Sequence, residues 1–288
     1  MNQILQKQNE PQFLKYLAAQ RHLYDEEKRW ANLWIIVVTL IAILGSGVFA
    51  FAVPVNAYLS LAAFLILFGE LLIDYLISKR GEQAAGVQEL FDTELLELPW
   101  NEFLVTRPET EVIESAARRF HRRARPGDAD RLKDWYSRKA GGLPLHQARI
   151  ECQRENLLWD QRQRKEYIKW VAAAFVIVIL ALVVIGIFAD WTFREFFTGP
   201  LPLVLPFLWI GAKHLYGHGK AIQRLEELNR FADDLWESAG QRDADSEALT
   251  LRSRQLQDQI YQHRKENPPV YTWFYNRIRE RYEKIMQT

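Results

Sequence analysis

Cysteine is almost absent, since the 288 residues hold one, Cys152. A single thiol excludes a disulfide framework within the chain and every paired-cysteine zinc motif. Also missing are a glycine-rich phosphate loop, a nucleophile elbow and a zinc-protease helix, so no catalytic signature supports an enzyme. There is no internal repeat and no low-complexity tract. Net charge is +1 with 25% of residues charged, an unremarkable balance that hides a strong segregation along the chain.

Charge is missing altogether from two long runs. Residues 31–53 give 23 positions without an ionisable group, and 170–189 give 20. About 20 apolar residues suffice to cross a hydrocarbon core of about 30 Å, so both predict membrane helices. Trp170 stands where an interfacial aromatic is expected. Each run is followed by a weaker one. Residues 57–77 are apolar except for Glu70 and Asp74, and 196–216 carry Pro200, Pro202 and Pro206 early and Lys213 and His214 late. The prolines predict a kinked and partly unwound fourth helix. A cleaved leader is not the reading of the first run, because a mixed-charge arm precedes it and it exceeds the 7 to 15 apolar residues usual for such signals.

Basic residues near span ends stay on the cytoplasmic side during insertion. Arg21, Lys28 and Arg29 precede the first run, Lys79 and Arg80 follow the second, Arg162, Arg164, Lys165 and Lys169 precede the third, and Lys213, Lys220 and Arg224 follow the fourth. The opposite side holds only Arg194, beside two acids. The expected fold is therefore an all-α integral membrane protein: four transmembrane helices in two hairpins, with a helical cytoplasmic domain. Its parts are a cytoplasmic N-terminal helix at 1–30, hairpins at 31–77 and 170–216, a central cytoplasmic domain at 78–169 and a C-terminal helical tail at 217–288. The expected location is the bacterial inner membrane, crossed several times, with both termini in the cytoplasm.

Outside the membrane, no proline or glycine interrupts 12–44, which predicts one rod running from the arm into the first span. Residues 82–96 and 109–123 read as helices, 99–108 as a loop and 125–130 as a polar turn. Helical pattern from 145 runs straight into the third span. Ile222, Leu225, Leu228, Phe231 and Leu235 share one helical face, and Leu249, Leu256 and Ile260 repeat it, which predicts a helical hairpin. Pro268 and Pro269 end it, ahead of a last aromatic and basic helix at 270–286.

Three constellations carry chemistry. His214 and His218 have a metal-compatible spacing of four, but no third ligand is evident and a solvated membrane edge is the plainer reading. Glu70 and Asp74 lie one turn apart on one helix face. They either line a pore or pair structurally with Lys213 or His214. Finally, Arg149, Arg154, Asn156, Trp159, Arg162 and Arg164 mix guanidinium groups with an aromatic plane just below the third span. That mixture suits phosphate and base contacts, although spacing alone favours a juxtamembrane basic helix touching anionic lipid.

Taken together, Gln8-Asn9, Leu17 to Tyr24, Gln88-Glu89-Leu90-Phe91-Asp92, Pro99-Trp100-Asn101, Asp134-Trp135-Tyr136 and Cys152-Gln153-Arg154 with Asn156, Trp159 and Asp160 resemble the SMODS-associated four-transmembrane effectors. These are pore-forming proteins of cyclic-oligonucleotide-based antiphage signalling in bacteria, and the resemblance covers nearly the whole chain. It implies no catalytic residues, no metal and no cofactor, with a cyclic di- or trinucleotide made by a nucleotidyltransferase encoded nearby as activating ligand. It implies a homo-oligomer in lipid with no DNA or RNA partner. On this resemblance Arg149, Arg154, Asn156, Trp159, Arg162, Trp135 and Tyr136 bind the ligand, and Glu70 and Asp74 line the pore whose opening aborts infection. A constitutive channel or carrier, or a passive scaffold, are the competing readings.

Overall fold

The computed structural model describes residues 2–51, 56–198, 200–241, 245–271 and 274. The outer turn expected at 54–56 and the last helix expected at 270–286 lie largely outside them. The described residues form eight α-helices and no strand: α1 (Ile4–Lys7), α2 (Pro11–Phe51), α3 (Asn56–Leu95), α4 (Thr110–Arg123), α5 (Leu145–Phe188), α6 (Phe193–Thr198), α7 (Pro200–Ala239) and α8 (Ser246–Glu266). Two short 3-10 turns, Asp130–Leu132 and Arg138–Gly142, lie between α4 and α5.

The uninterrupted rod expected from the arm is α2, 41 residues long. Two other helices are longer than the pattern suggested. α3 joins the weak second apolar run to the helix expected at 82–96, and α7 runs from Pro200 through Gly217 to Ala239. No unwinding is seen in α7. Pro200 and Pro202 sit in its first turn, where a missing N–H has no helical partner to lose, and only Pro206 is interior. Glycine inside these helices serves close approach. A Cβ on Gly81 would lie 2.7 Å from Glu27 Oε1, and one on Gly69 the same distance from the Trp34 ring.

The chain divides into two compact units. Unit 1 joins Met1–Glu27, Ser78–Gln163 and Ala221–Pro269, so the arm, the central segment and most of the tail share one body. One core packs Leu17, Leu23, Phe91, Leu95, Ile113, Phe120 and Cys152 from α2, α3, α4 and α5. A second packs Ile150 and Leu157 of α5 against Leu225, Leu228 and Leu235 of α7 and Leu249, Leu256 and Ile260 of α8. The hairpin face read from the tail therefore closes within one chain. Asp245 caps α8 by accepting from Glu247 N at 2.8 Å and Ala248 N at 3.3 Å, a contact worth about 1 kcal/mol.

Unit 2 comprises Lys28–Ile77, Arg164–Lys220 and Val270–Thr288. Its small core takes Val38 and Ala42 from α2, Ile66 from α3, and Phe207 and Ile210 from α7, with Phe175, Val178 and Ile179 of α5 packed against them. Large apolar side chains point outward around this bundle: Leu40 and Leu44 on α2, Phe64, Phe68 and Leu72 on α3, Ile177, Leu180 and Ile187 on α5, Leu205 and Trp209 on α7. Among the described residues, two helical stretches, Pro11–Ser46 and Leu145–Phe188, are long and apolar enough to cross a membrane.

Candidate functional site

The residues that carry the family resemblance meet inside unit 1. α3 contributes two carboxylates one turn apart on its buried face, Glu89 and Asp92, which are 1% and 0% exposed. Ionised groups at such depth persist only when every oxygen is paired. Asp92 Oδ1 accepts from the Tyr136 hydroxyl at 2.6 Å, and Oδ2 from Arg264 Nη1 at 2.6 Å and Gln257 Nε2 at 3.2 Å. Glu89 accepts from Arg254 Nη2 at 2.5 Å and from Gln257 Nε2 at 2.8 Å. Burial still outweighs Arg254 and pushes the Glu89 carboxyl above its ordinary range. Burial and the neighbouring Asp92 push the Tyr136 phenol up, which keeps it a proton donor.

Around this pair the network closes through amides. Gln153 Nε2 donates to Ser253 O at 2.9 Å and to Gln257 Oε1 at 3.1 Å, while Ser253 Oγ donates back to Gln153 Oε1 at 2.8 Å. Asn156 Nδ2 donates to the Tyr136 hydroxyl at 2.7 Å. The segment bearing Tyr136 is clamped from the other side by the Gln8-Asn9 pair. Gln8 Oε1 accepts from Tyr136 N at 2.8 Å, Asn9 Oδ1 accepts from Asp134 N at 3.0 Å, and Asn9 Nδ2 donates to Asp134 Oδ1 at 2.9 Å. Asp134 adopts a positive φ of 51°, a conformation an aspartate tolerates better than most residues. Four separate stretches of the resemblance are thus one hydrogen-bonded assembly.

The seven residues expected to contact ligand are placed as follows. Tyr136 and Asn156 bond to each other. Arg149 lies at the end of α3, donating to Leu96 O at 2.5 Å, Glu97 O at 2.8 Å and Thr250 Oγ1 at 2.8 Å. It thereby satisfies carbonyls that a helix end leaves open. Arg154 faces α7, donating to Asp233 Oδ1 at 2.9 Å, with its guanidinium 5.2 Å from the Trp236 ring centre. Trp135 stands edge-on to Phe91. Trp159 is half-buried and Arg162 is exposed on the next turn of α5. Thirteen positions separate Arg149 from Arg162, about 20 Å of helical rise, so the set forms a strip along α5 with Trp135 and Tyr136 beside it.

Sequence reasoning missed the α8 side of this assembly. Ser253, Gln257 and Arg264 recur at intervals of four and seven on that helix, a polar stripe next to its apolar one. That stripe was the available signal.

The second cluster is in unit 2. Glu70 is 6% exposed and accepts from the Trp34 indole N–H and, at 3.3 Å, from Lys213 Nζ. Asp74 pairs with the same ammonium. The lysine named from the sequence as an alternative partner is thus the one found. His214 is engaged elsewhere, 3.0 Å from the Tyr167 hydroxyl, and His218 lies 3.2 Å from Arg164 Nη1. Among the described residues, no three histidine, cysteine or carboxylate side chains group as metal ligands.

Residues 2–288 match the family described as the SMODS-associating 4TM effector domain. A relative in Bacillus cereus (strain VD146), described as a probable CBASS effector molecule, is 25% identical over 286 residues, covering 96% of this chain and 88% of its own. No solved structure matches.

Proposed function

The chain belongs to the SMODS-associating 4TM effector domain family, and from that premise we propose that it is a non-enzymatic membrane effector of bacterial antiphage defence, gated by a cyclic oligonucleotide. Unit 1 takes the ligand on the cytoplasmic side of the inner membrane. Unit 2 crosses the bilayer four times and forms or opens a pore, as a homo-oligomer, which ends growth of the infected cell. The observation that carries this reading is the outward-facing apolar surface of all four long segments of unit 2, including Phe64, Phe68 and Leu72 of the weak second run and Trp209 of the fourth. Monomeric soluble proteins rarely expose contiguous apolar surface of this kind to water. The bias of Lys and Arg toward one side supports cytoplasmic termini.

Ligand phosphate competes for guanidinium groups now held by carboxylates, above all Arg154 with Asp233 and Glu151. Trp159 offers a stacking face and Arg162 a second cation. Arg149, Trp135, Tyr136 and Asn156 line the inner side of the strip, where a change in α5 is felt by the Asp92 network. The ligand can shift the equilibrium only by binding the active arrangement more tightly than the resting one. In the resting arrangement Lys213 neutralises Glu70 and Asp74. Opening exposes both carboxylates to the lumen, which favours cations.

Dye and ion release from proteoliposomes, with and without cyclic di- and trinucleotides, tests this. Release should require nucleotide, and Arg154→Ala or Trp159→Ala should abolish it while leaving insertion intact. Glu70→Gln should weaken cation preference. Equal release without nucleotide identifies a constitutive channel, and no release under any nucleotide identifies a scaffold.

A further inference from the structure

The stretch 115–127 contains five arginines and one histidine and no acid. It ends α4, which buries Ile113, Ala116, Ala117 and Phe120 in unit 1 and turns Arg118, Arg119, Arg122, Arg123 and the following Arg125 to the outside. Arg118 with Arg122 and Arg119 with Arg123 stand four apart, so two rows of like charge run side by side. Each such pair weakens an isolated helix by like-charge repulsion. The helix dipole welcomes a cation or two in the last turn, which leaves most of this charge without a structural reason. Among the described residues Arg118, Arg122 and Arg123 form no ion pair; Arg119 lies 3.7 Å from Glu26.

That one contact fixes the level of the patch. Glu26 is on α2, five residues before the charge-free run that starts at Ala31, about 7.5 Å of helical rise. Arg80 of α3, three residues past Ile77, reaches the same carboxylate at 3.8 Å. The basic end of α4 is therefore tied to unit 1 within about one Debye length, roughly 8–10 Å, of where the apolar runs of α2 and α3 begin and end. Charge of one sign at that height complements one partner, a sheet of lipid phosphates.

We propose that the outer face of α4 is a docking surface for anionic phospholipid headgroups of the inner leaflet. The inference rests on the membrane reading above and goes beyond it, because this contact involves neither the pore nor the nucleotide strip. It anchors the α4 corner of unit 1 to the membrane surface through exposed guanidinium groups, each able to hold a phosphate with two N–H donors.

The test uses the full chain in lipid nanodiscs. His121→Cys provides an exposed thiol for an environment-sensitive dye, while the native Cys152 is buried. Quencher-labelled lipid is supplied as anionic phosphatidylglycerol or as phosphatidylcholine, whose quaternary ammonium keeps it zwitterionic. Quenching by the anionic lipid at several-fold lower mole fraction, lost in molar salt, supports the proposal. The combined Arg118→Gln, Arg122→Gln, Arg123→Gln and Arg125→Gln variant should erase the preference, and Arg→Lys at the same four positions should restore it. Equal quenching by the two lipids in an inserted chain overturns the proposal alone. So does a dye response to cyclic oligonucleotide or RNA in detergent that requires these four arginines, since the surface would then serve nucleic acid phosphates. A chain that does not enter nanodiscs overturns the membrane reading, and this proposal with it.

Discussion

In unit 1, carboxylates and guanidinium groups are buried and each is answered: Asp92 by Tyr136, Gln257 and Arg264, Glu89 by Arg254 and Gln257. In unit 2, the polar groups described above fall in two small clusters, Glu70, Asp74, Lys213 with Trp34 and Arg164, His218, His214 with Tyr167, and the outer surface is left to Phe64, Leu72, Ile177 and Trp209. A body surrounded by water can keep charge inside only through dense pairing, whereas one surrounded by lipid has its apolar residues stabilised on the outside. The two units share α2, α3, α5 and α7 as unbroken helices, yet their interiors follow opposite rules.

The largest effect is expected from unpairing the buried charge of unit 1. Asp92→Ala strands Arg264, whose burial opposes its charge and which Asp92, with Tyr24 and Tyr136, nonetheless holds above the ordinary arginine range. Removing one partner of a buried pair costs about 3–5 kcal/mol. Hydrogen exchange should show unit 1 opening while the amides of unit 2 stay protected in detergent; equal protection of unit 1 in the variant would mean the network is not what holds it.

A smaller effect is expected in unit 2. Lys213→Gln leaves Glu70 and Asp74 facing each other one turn apart, and because the ammonium is half-exposed the loss is on the order of 1–2 kcal/mol. Resting leak in proteoliposomes should rise about tenfold, since 1.4 kcal/mol is a factor of ten in a two-state population. An unchanged leak would assign the triad to packing alone.

The smallest effect concerns pH. His22 is buried beside Glu26, 3.2 Å away, and burial holds its pKa below the ordinary 6.5 against the pull of that carboxylate. A depressed folded-state value contributes stability that is present above pH 6.5 and is lost as pH falls below it. Thermal unfolding of unit 1 should therefore come earlier at pH 5.5 than at pH 7.5, and His22→Gln should flatten the difference.

Much of this was legible. The absence of proline and glycine over 12–44 gave α2, and α4 starts within one residue of the helix read at 109–123. What was hidden were the joins in α3 and α7. The second apolar run and the helix at 82–96 were read apart, as were the fourth run and the tail from 217, whereas Gly81 is where α3 runs on past the Glu27 carboxylate, too close for a side chain. At the site, Tyr136 and Asn156 were named together from motif alone. Arg254, Gln257 and Arg264 were not, because a polar stripe that faces another helix has the same composition as one that faces water.

Unit 1 is assembled from three lengths of chain separated by the segments of unit 2, and its last length supplies α8. During synthesis Glu89 and Asp92 emerge long before Arg254, Gln257 and Arg264, so the two acids wait without their counterparts until α8 has been made. α2, α3, α5 and α7 are all made before this closure. A nascent or truncated chain that lacks α8 accordingly cannot complete unit 1, whose buried acids stay unanswered until that helix arrives.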